Sequence, residues 1–575
     1  MPWEQGFVLA LLTLIIVSLL ASKLKPSVIF AGSAFIAFMV GMIDLPSLAK
    51  NFTNSSLLTL VLLILSSCAL EKTRLISWVG RYISEGRLGS VVGKLGLSTA
   101  LLSSFTNNTA VVVSLIGAIK RNQRHAPSRL LIPLSYAAIL GGTLTLIGTS
   151  TNLIINSFVE DAGLPSLSFF APTAIGLVVL AGGLLILIPL SYLLPQYDDG
   201  SQDELPYFLE ARVEGASPLV GKSISENNLR ALRKLFLAEV IREGRTITSV
   251  DPDMILLAGD RLLFCGDIES VTTLQEINGL TLFGQHHLNG QNLIEVVVSQ
   301  SASIRGKSIK SAHFRERFDA VVVAIRRGHE RLEGGLGKIE LQAGDTLVLV
   351  PGKNFEQSKQ QLKREFVIIS DLDSAAKLDG DKSTFVLLGF ASVIAAALLD
   401  VFPIIKGLSV YLLAMFAFGV VSLGELRRRF PIDIVVIVGA ALSIAQLMLS
   451  SGLSVQLGDM FIELFNGWGV MGALIAVYLI TLVLTELITN NAAAALAFPI
   501  GYSMALGYGV DPMPFIMAVL FGASASFISP YGYQTNLLVF SVGNYTLLDY
   551  VKVGLPMSII YSVLVLSLIP HFFPF

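Results

Sequence analysis

The chain has 575 residues, 53% hydrophobic and 14% charged, with a mean hydropathy of +0.70. Soluble domains carry about 25% charged residues, so this composition excludes a water-soluble protein; it is also too apolar for disorder and too long for one core. A net charge of −2 makes no case for nucleic-acid binding, and two cysteines far apart, Cys68 and Cys265, build neither a disulfide framework nor a metal site.

A spanning helix needs about 20 mostly apolar residues. Such runs fall near 6–22, 28–45, 54–71, 130–158 and 168–195, and again near 384–400, 404–422, 432–451, 512–540 and 551–570. Residues 6–22 are read as the first span and not as a signal peptide, because no basic region precedes them and no small-residue cleavage site stands before Lys23. Ahead of the fourth run in each set lies a segment of another kind. Residues 95–119 are broken by Ser103-Ser104-Phe105-Thr106-Asn107-Asn108-Thr109, and residues 469–505 by Thr489-Asn490-Asn491.

Loop charge decides whether these two segments span or turn back. If both are re-entrant hairpins, Lys23, Lys25, Lys72, Arg74, Arg81, Arg87, Lys94, Lys120, Arg121, Arg124, Arg129, Arg427, Arg428, Arg429 and Lys552 share one face with the central region. The opposite face keeps only Lys50 and Lys406. Cytoplasmic loops carry such an excess, whereas full spans would move 120–129 outside and weaken it. The expected fold is a polytopic α-helical membrane protein: an inverted repeat of five spans plus one hairpin per half, with a soluble α/β tandem inserted between. The central domains are then cytoplasmic and both termini outside. The expected boundaries are 1–198, 199–285, 286–380 and 381–575.

The halves share motifs. Thr106-Asn107-Asn108-Thr109-Ala110 matches Thr489-Asn490-Asn491-Ala492-Ala493 at an offset of 490 − 107 = 383, and Gly148-Thr149-Ser150-Thr151-Asn152 matches Gly532-Tyr533-Gln534-Thr535-Asn536 at 536 − 152 = 384. Non-helical backbone at membrane depth costs several kcal/mol per unpaired group unless it lines a wet cavity or binds something. Four breaks are read, the two tips, Gly148–Asn152 inside 130–158 and Ser529-Pro530-Tyr531-Gly532 inside 512–540; they expose carbonyls that suit a hard cation such as Na⁺, and helix N-termini that suit an anion. A lone Ser or Thr in a span more often glues helices together; paired Asn-Asn steps at repeat-related positions read as ligands. Glu486, at membrane depth where the first half has Ser103, is a candidate for ion coupling or for a hydrogen bond to a neighbouring helix.

The two tips resemble the Ser-Asn-Thr motifs of the divalent-anion/sodium symporters of the ion-transporter superfamily, and Gly148–Asn152 resembles the Gly-Thr-rich break in the following span. The resemblance covers both membrane halves. It implies one Na⁺ held by Thr106, Asn107 and Asn108 with Gly148, Ser150 and Asn152. A second would lie with Thr489, Asn490 and Asn491 against Ser529, Thr535 and Asn536. It implies substrate contacts from Asn108, Thr109, Thr149, Asn491, Ala492 and Gly532. Asn replaces the leading Ser of the family motif in both tips, and Ala492 replaces a Thr; the missing hydroxyl points toward sulfate or a similar oxyanion rather than a dicarboxylate.

Residues 200–380 hold 22 of the 40 basic residues and read as duplicated soluble α/β structure. Gly221-Lys222-Ser223 recurs as Gly306-Lys307-Ser308 and Ala258-Gly259-Asp260 as Ala343-Gly344-Asp345, both at an offset of 85 (306 − 221 and 344 − 259). The first copy is expected to have strands over 208–213 and 235–242 and the second over 293–298 and 320–327, each with Ala-Gly-Asp as turn chemistry before a last strand. A nucleotide-phosphate loop is excluded, because neither Gly-Lys-Ser has the upstream Gly at Walker spacing. Both copies resemble TrkA-C domains, which implies a sensory or dimer-forming role with a small nucleotide as one candidate effector; a structural spacer is the alternative.

The expectation is a secondary active transporter of the inner membrane, a homodimer moving Na⁺ with sulfate or a similar anion, with no resident cofactor. Dicarboxylate symport, Na⁺/H⁺ antiport or oxyanion export with Glu486 carrying the proton, and a TrkA-C-gated channel remain as alternatives. Six histidines without His-Glu-x-x-His, and no serine elbow, give a membrane hydrolase nothing to work with.

Overall fold

The computed structural model describes residues 2–22, 24–73, 86–120, 122, 124–197, 378–399, 401–464 and 468–575, and residues 207–368 except 230–231, 233–234, 244, 248–250, 267–273, 275–276, 283–293, 300–301, 329, 333–335, 352–354, 356–360 and 363–364. Lys23, Arg74, Arg81 and Arg121, and the boundaries expected at 198/199 and 285/286, lie outside the described residues. The chain forms two compact units: residues 1–195, 375–539 and 547–575, and residues 196–374 with 540–546.

In the first unit, six helices among the described residues are long and apolar enough to cross a membrane: Leu45–Glu71, Thr173–Ser191, Gly380–Leu398, Ile432–Ser450, Gly469–Leu487 and Leu547–Phe572. Shorter apolar helices accompany them. Those expected over 28–45 and 404–422 are Pro26–Met39 and Ile404–Ala417, and both stop in the same way. Gly41 and Gly419 turn to φ of 80° and 67°. The N–H groups of Met42 and Val420 then reach the carbonyls of Ala37 and Met415, while Gly41 and Gly419 reach Phe38 and Phe416. These are the paired bonds of a Schellman end, where glycine accepts the left-handed backbone without strain.

The spans expected over 130–158 and 512–540, with breaks at Gly148–Asn152 and Ser529–Gly532, are each two short helices, Leu131–Gly142 with Ser150–Asp161 and Met513–Ala523 with Gln534–Val542. Residues 143–149 and 524–533 between them are rich in Ser, Thr and Gly, and the second stretch adds Pro530. Such residues compete with, or cannot complete, the i→i−4 ladder. The interrupted segments are Leu88–Ser103 with Asn108–Lys120 and Gly469–Leu487 with Asn490–Tyr508. The first starts at Leu88 rather than 95, and the half-buried Lys94 stands inside it, since a long aliphatic stem lets a lysine sit in an apolar helix without ending it.

Every residue of Leu131–Gly142 is buried, and so are Pro514–Ala523; helices apolar all round belong inside a bundle. Lipid removes the hydrophobic drive between helices, so close packing must hold them. Gly141 lies on the backbone of Ala100, and Gly522 lies against the Tyr478 carbonyl and the Thr481 side chain. A Cβ at Gly141 would overlap Ala100.

Among the described residues the second unit holds two five-stranded sheets: β1 (Tyr207–Val213), β2 (Leu235–Arg242), β3 (Arg245–Ile247), β4 (Arg261–Gly266) and β5 (Leu280–Leu282), then β6 (Ile294–Val298), β7 (Ala320–Arg327), β8 (Glu330–Arg331), β9 (Thr346–Pro351) and β10 (Phe366–Ile368). Their orders, β3-β2-β4-β1-β5 and β10-β6-β9-β7-β8, are the same order read from opposite ends. Described pairings are antiparallel, and β2 and β7 each carry a register shift, at Leu237/Glu239 and Val322/Ala324, 85 residues apart.

The Ala-Gly-Asp turns are anchored alike. Arg242 Nε donates to Asp260 at 2.8 Å and Arg327 Nε to Asp345 at 2.7 Å, each guanidinium gripping both carboxylate oxygens. The N–H groups of Leu257 and Gln342 complete each carboxylate at 2.8 and 2.7 Å. Hydrogen bonding by Asp260 holds the Arg242 guanidinium above its ordinary pKa.

Candidate functional site

Four helices begin beside the repeated motifs: Asn108–Lys120, Ser150–Asp161, Asn490–Tyr508 and Gln534–Val542. Hydrogen bonds cross between the halves at their N-termini. Asn108 Nδ2 donates to the Tyr533 hydroxyl at 2.6 Å, and Thr109 Oγ1 to Gln534 Oε1 at 3.4 Å. In return, Asn491 Oδ1 accepts from Ser150 Oγ at 3.1 Å and Thr151 Oγ1 at 3.3 Å. The Tyr533 hydroxyl lies 3.5 Å from Thr149 Oγ1 and so joins the two sets. The first-half tip therefore meets the second-half break, and the first-half break meets the second-half tip.

The breaks are braced by a second recurring pattern. Asn152 Nδ2 donates to the carbonyls of Gly142 at 3.3 Å and Thr145 at 2.9 Å. Asn536 Nδ2 donates to those of Ser526 at 2.8 Å and Ser529 at 3.5 Å. The sequence separations are 10 and 7 in both cases. Ser135 Oγ, on the buried helix Leu131–Gly142, also reaches Thr535 Oγ1 at 2.8 Å and Asn536 Oδ1 at 2.6 Å. Gly148 and Gly532 allow the tight crossing of each break: a Cβ on Gly148 would meet the Gly142 carbonyl, and one on Gly532 the Thr485 carbonyl and the Ser526 hydroxyl.

Other expected residues stand in different surroundings. Asn107 is exposed, and its Oδ1 accepts from the Thr109 N–H at 2.9 Å, an ordinary helix cap. Thr106 Oγ1 donates to the Leu102 carbonyl at 2.7 Å. Their counterparts differ: Asn490 is buried, neither of its amide atoms has a hydrogen-bond partner among the described residues, and the same holds for Thr489 Oγ1. Asn152 Oδ1 is likewise buried and unpaired among the described residues. Ala492 is fully buried in its helix and brings no polar atom.

Glu486 ends its helix at the second break. Its Oε1 accepts from the N–H groups of Phe527 at 2.9 Å and Ile528 at 2.8 Å, and its Oε2 from Ser529 at 2.8 Å. An ionised carboxylate is an acceptor only, which is the part all three contacts give it.

Sequence reasoning passed over Tyr533, Gln534, Thr151, Ser103 and Ser135. Ser103 Oγ donates a short bond to Asn108 Oδ1. The first three stood inside the matched motifs, where alignment with Thr149, Ser150 and Thr535 was the available signal. A lone Ser135 in an apolar run gave none.

Chemically, the site offers hydroxyl and amide donors and the positive ends of converging helix dipoles, each equivalent to about half an elementary charge. Beside them lie the unpaired oxygens of Asn152, Asn490 and Thr489, able to ligate a hard cation. Among the described residues no cluster of three or more His, Cys, Asp or Glu side chains could hold a metal.

Residues 7–522 match the family model described as Citrate transporter (CitMHS). A Chlamydomonas reinhardtii protein with the provisional name sulfur deprivation response regulator is 32% identical over 95% of this chain and 97% of its own length. An uncharacterized transporter of Synechocystis is 28% identical over 92% of this chain and 90% of its own. Sodium/sulfate cotransporter 1 of Chlamydomonas reinhardtii is 26% identical over 63% of this chain and 42% of its own. The crystal structure of the Alcanivorax borkumensis YdaH transporter aligns at a TM-score of 0.44 and 12% identity over 100% of this chain and 98% of that one, too distant to bear on the fold. With helices suited to crossing a membrane and a family model covering most of its length, the chain is a membrane transporter of the citrate transporter (CitMHS) family, and not an enzyme.

Proposed function

We propose that the chain is a Na⁺-coupled symporter of sulfate or a similar divalent anion. One observation carries this reading: the N-termini of four helices meet through Asn108, Tyr533, Thr149, Asn491 and Ser150, with neutral donors and no cationic side chain among these contacts. A fully ionised tetrahedral anion accepts hydrogen bonds and donates none, which suits such a set. The cation belongs beside it. The carbonyl cradles read by Asn152 and Asn536, and above all the buried Asn490 amide with Thr489, present oxygens that a Na⁺ would satisfy. The relative named as a sodium/sulfate cotransporter supports both cargo and coupling.

In this reading, 95–119 and 469–505 are re-entrant hairpins of an inverted repeat. The duplicated sheets are TrkA-C-like regulatory domains on the cytoplasmic side of the inner membrane, both termini are outside, and the transporter is a homodimer. Glu486 is a fixed acceptor that shapes the second break rather than a proton carrier. The family description favours a carboxylate cargo as the second reading; Ala492 in place of a hydroxyl counts against it.

The test is uptake of radiolabelled sulfate and succinate into proteoliposomes, with and without an inward Na⁺ gradient. Sulfate should accumulate only with the gradient, and Asn108→Ala should reduce the initial rate by tenfold or more, roughly the loss of one hydrogen bond to a charged group. Uptake driven by a pH gradient and indifferent to Na⁺ would contradict the reading.

A further inference from the structure

The repeat sets Tyr533 against Thr149. Each immediately precedes the helix that follows its break, Gln534–Val542 and Ser150–Asp161, and the Tyr533 carbonyl accepts the N–H of Leu537 at 3.1 Å as a cap residue does. Where the first half has a small hydroxyl, the second has a phenol.

That phenol is held from two sides. Its oxygen accepts from Asn108 Nδ2 at 2.6 Å, so its own proton is directed elsewhere. Thr149 Oγ1, at 3.5 Å, is a poor partner for it, because O–H···O bonds centre near 2.7–2.8 Å. An anionic oxygen placed between them would make a shorter, charge-assisted bond with either hydroxyl.

Neither partner can retreat. Asn108 is backed by Gly142, where even a Cβ would come within 2.6 Å of its Nδ2. Gly532, the residue before Tyr533, is pressed against the Thr485 carbonyl and the Ser526 hydroxyl. A filter for size needs walls that do not yield, and these are backbone contacts on both sides.

We propose that Tyr533 sets the size limit of the transported anion. Its ring occupies the space beside Asn108 and Thr149 that the second carboxylate of a chain-like dianion would require, and its hydroxyl donates to one oxygen of a compact tetrahedral dianion. This rests on the reading of these tips as the anion site.

The experiment measures Na⁺-driven uptake of sulfate and succinate by the full chain in proteoliposomes, for wild type, Tyr533→Phe and Tyr533→Thr. Wild type should take up sulfate and leave succinate. Tyr533→Phe keeps the ring and loses the hydroxyl, so the sulfate KM should rise about tenfold with little change in maximal rate and succinate still excluded. Tyr533→Thr, which makes the two halves alike, should admit succinate. If Tyr533→Thr moves neither anion, thermal unfolding of the purified variant replaces uptake: a succinate-dependent rise absent from wild type supports the size limit, and no rise overturns it. A Tyr533→Thr variant that carries sulfate and still rejects succinate overturns the proposal, as does Tyr533→Phe with an unchanged KM. A wild type that accumulates both anions equally defeats the size limit while leaving symport intact; one with no Na⁺-driven uptake of either defeats symport itself.

Discussion

Asn108 is held by its neighbours: its oxygen accepts from Ser103, one N–H of its amide donates to Tyr533, and Gly142 lies behind it. Gly142→Ala should therefore act through Asn108. The new methyl would meet both amide atoms, at 2.6 and 3.0 Å, and push the amide off Tyr533. Loss of that bond is worth about 1–2 kcal/mol, or roughly tenfold in apparent affinity for the anion. Sulfate uptake kinetics should show a raised KM in a protein that remains monodisperse. Gly32→Ala is the control, since nothing lies within 4 Å of a Cβ there, its φ is ordinary, and the helix Pro26–Met39 should gain slightly. Residues such as Asn108 and Asn491 were legible in the sequence because amides stand out in apolar runs. Tyr533 was not, because an aromatic in such a run is core by default. Asn107 and Asn490 looked equivalent, yet Asn490 begins its helix whereas Asn107 only caps one that begins at Asn108. That one-residue difference turns one amide outward and buries the other, and no motif match can register it.

At the level of elements, the site is made by interruptions, and each needs something to hold its backbone donors. In the second break Glu486 takes three of them, from Phe527, Ile528 and Ser529. Glu486→Gln keeps the shape but presents an NH₂ to at least one N–H, at about 1–3 kcal/mol for the donor left unpaired. Hydrogen exchange should rise in peptides covering 524–533 and stay unchanged over 143–149, which has its own brace in Asn152. Equal exchange in both stretches would remove Glu486 from the positioning part given to it here. The breaks themselves were readable from Gly, Pro, Ser and Thr inside apolar runs. The helix ends around them were less so: Lys94 suggested a start at 95, and hydropathy alone could not see the Schellman ends that stop Pro26–Met39 and Ile404–Ala417 short of a full bilayer crossing.

Across the whole molecule, motifs recur in two places, and the two cases were unequally visible. The sheets of the second unit repeat motif, strand order and bulge position at one constant offset, because turn chemistry must stay where the ladder needs it. The membrane halves keep only the motifs that make contacts, since almost any apolar residue serves between them. The sheets also allow a test of whether the second unit bears on transport. Asp345 is fully buried and takes two guanidinium bonds from Arg327 and one backbone N–H from Gln342. Asp345→Ala leaves that cation and that N–H unmatched, a loss of about 3 kcal/mol, at the low end for a buried pair because the Arg327 side chain is one-third exposed. Limited proteolysis within 320–351 should speed up accordingly, and Asp260→Ala should do the same over 235–266, where the grip is the same. If the sheets regulate transport, sulfate uptake should change in step with proteolysis in one or both variants. Uptake that stays at the wild-type rate while a sheet opens would leave that unit as a spacer.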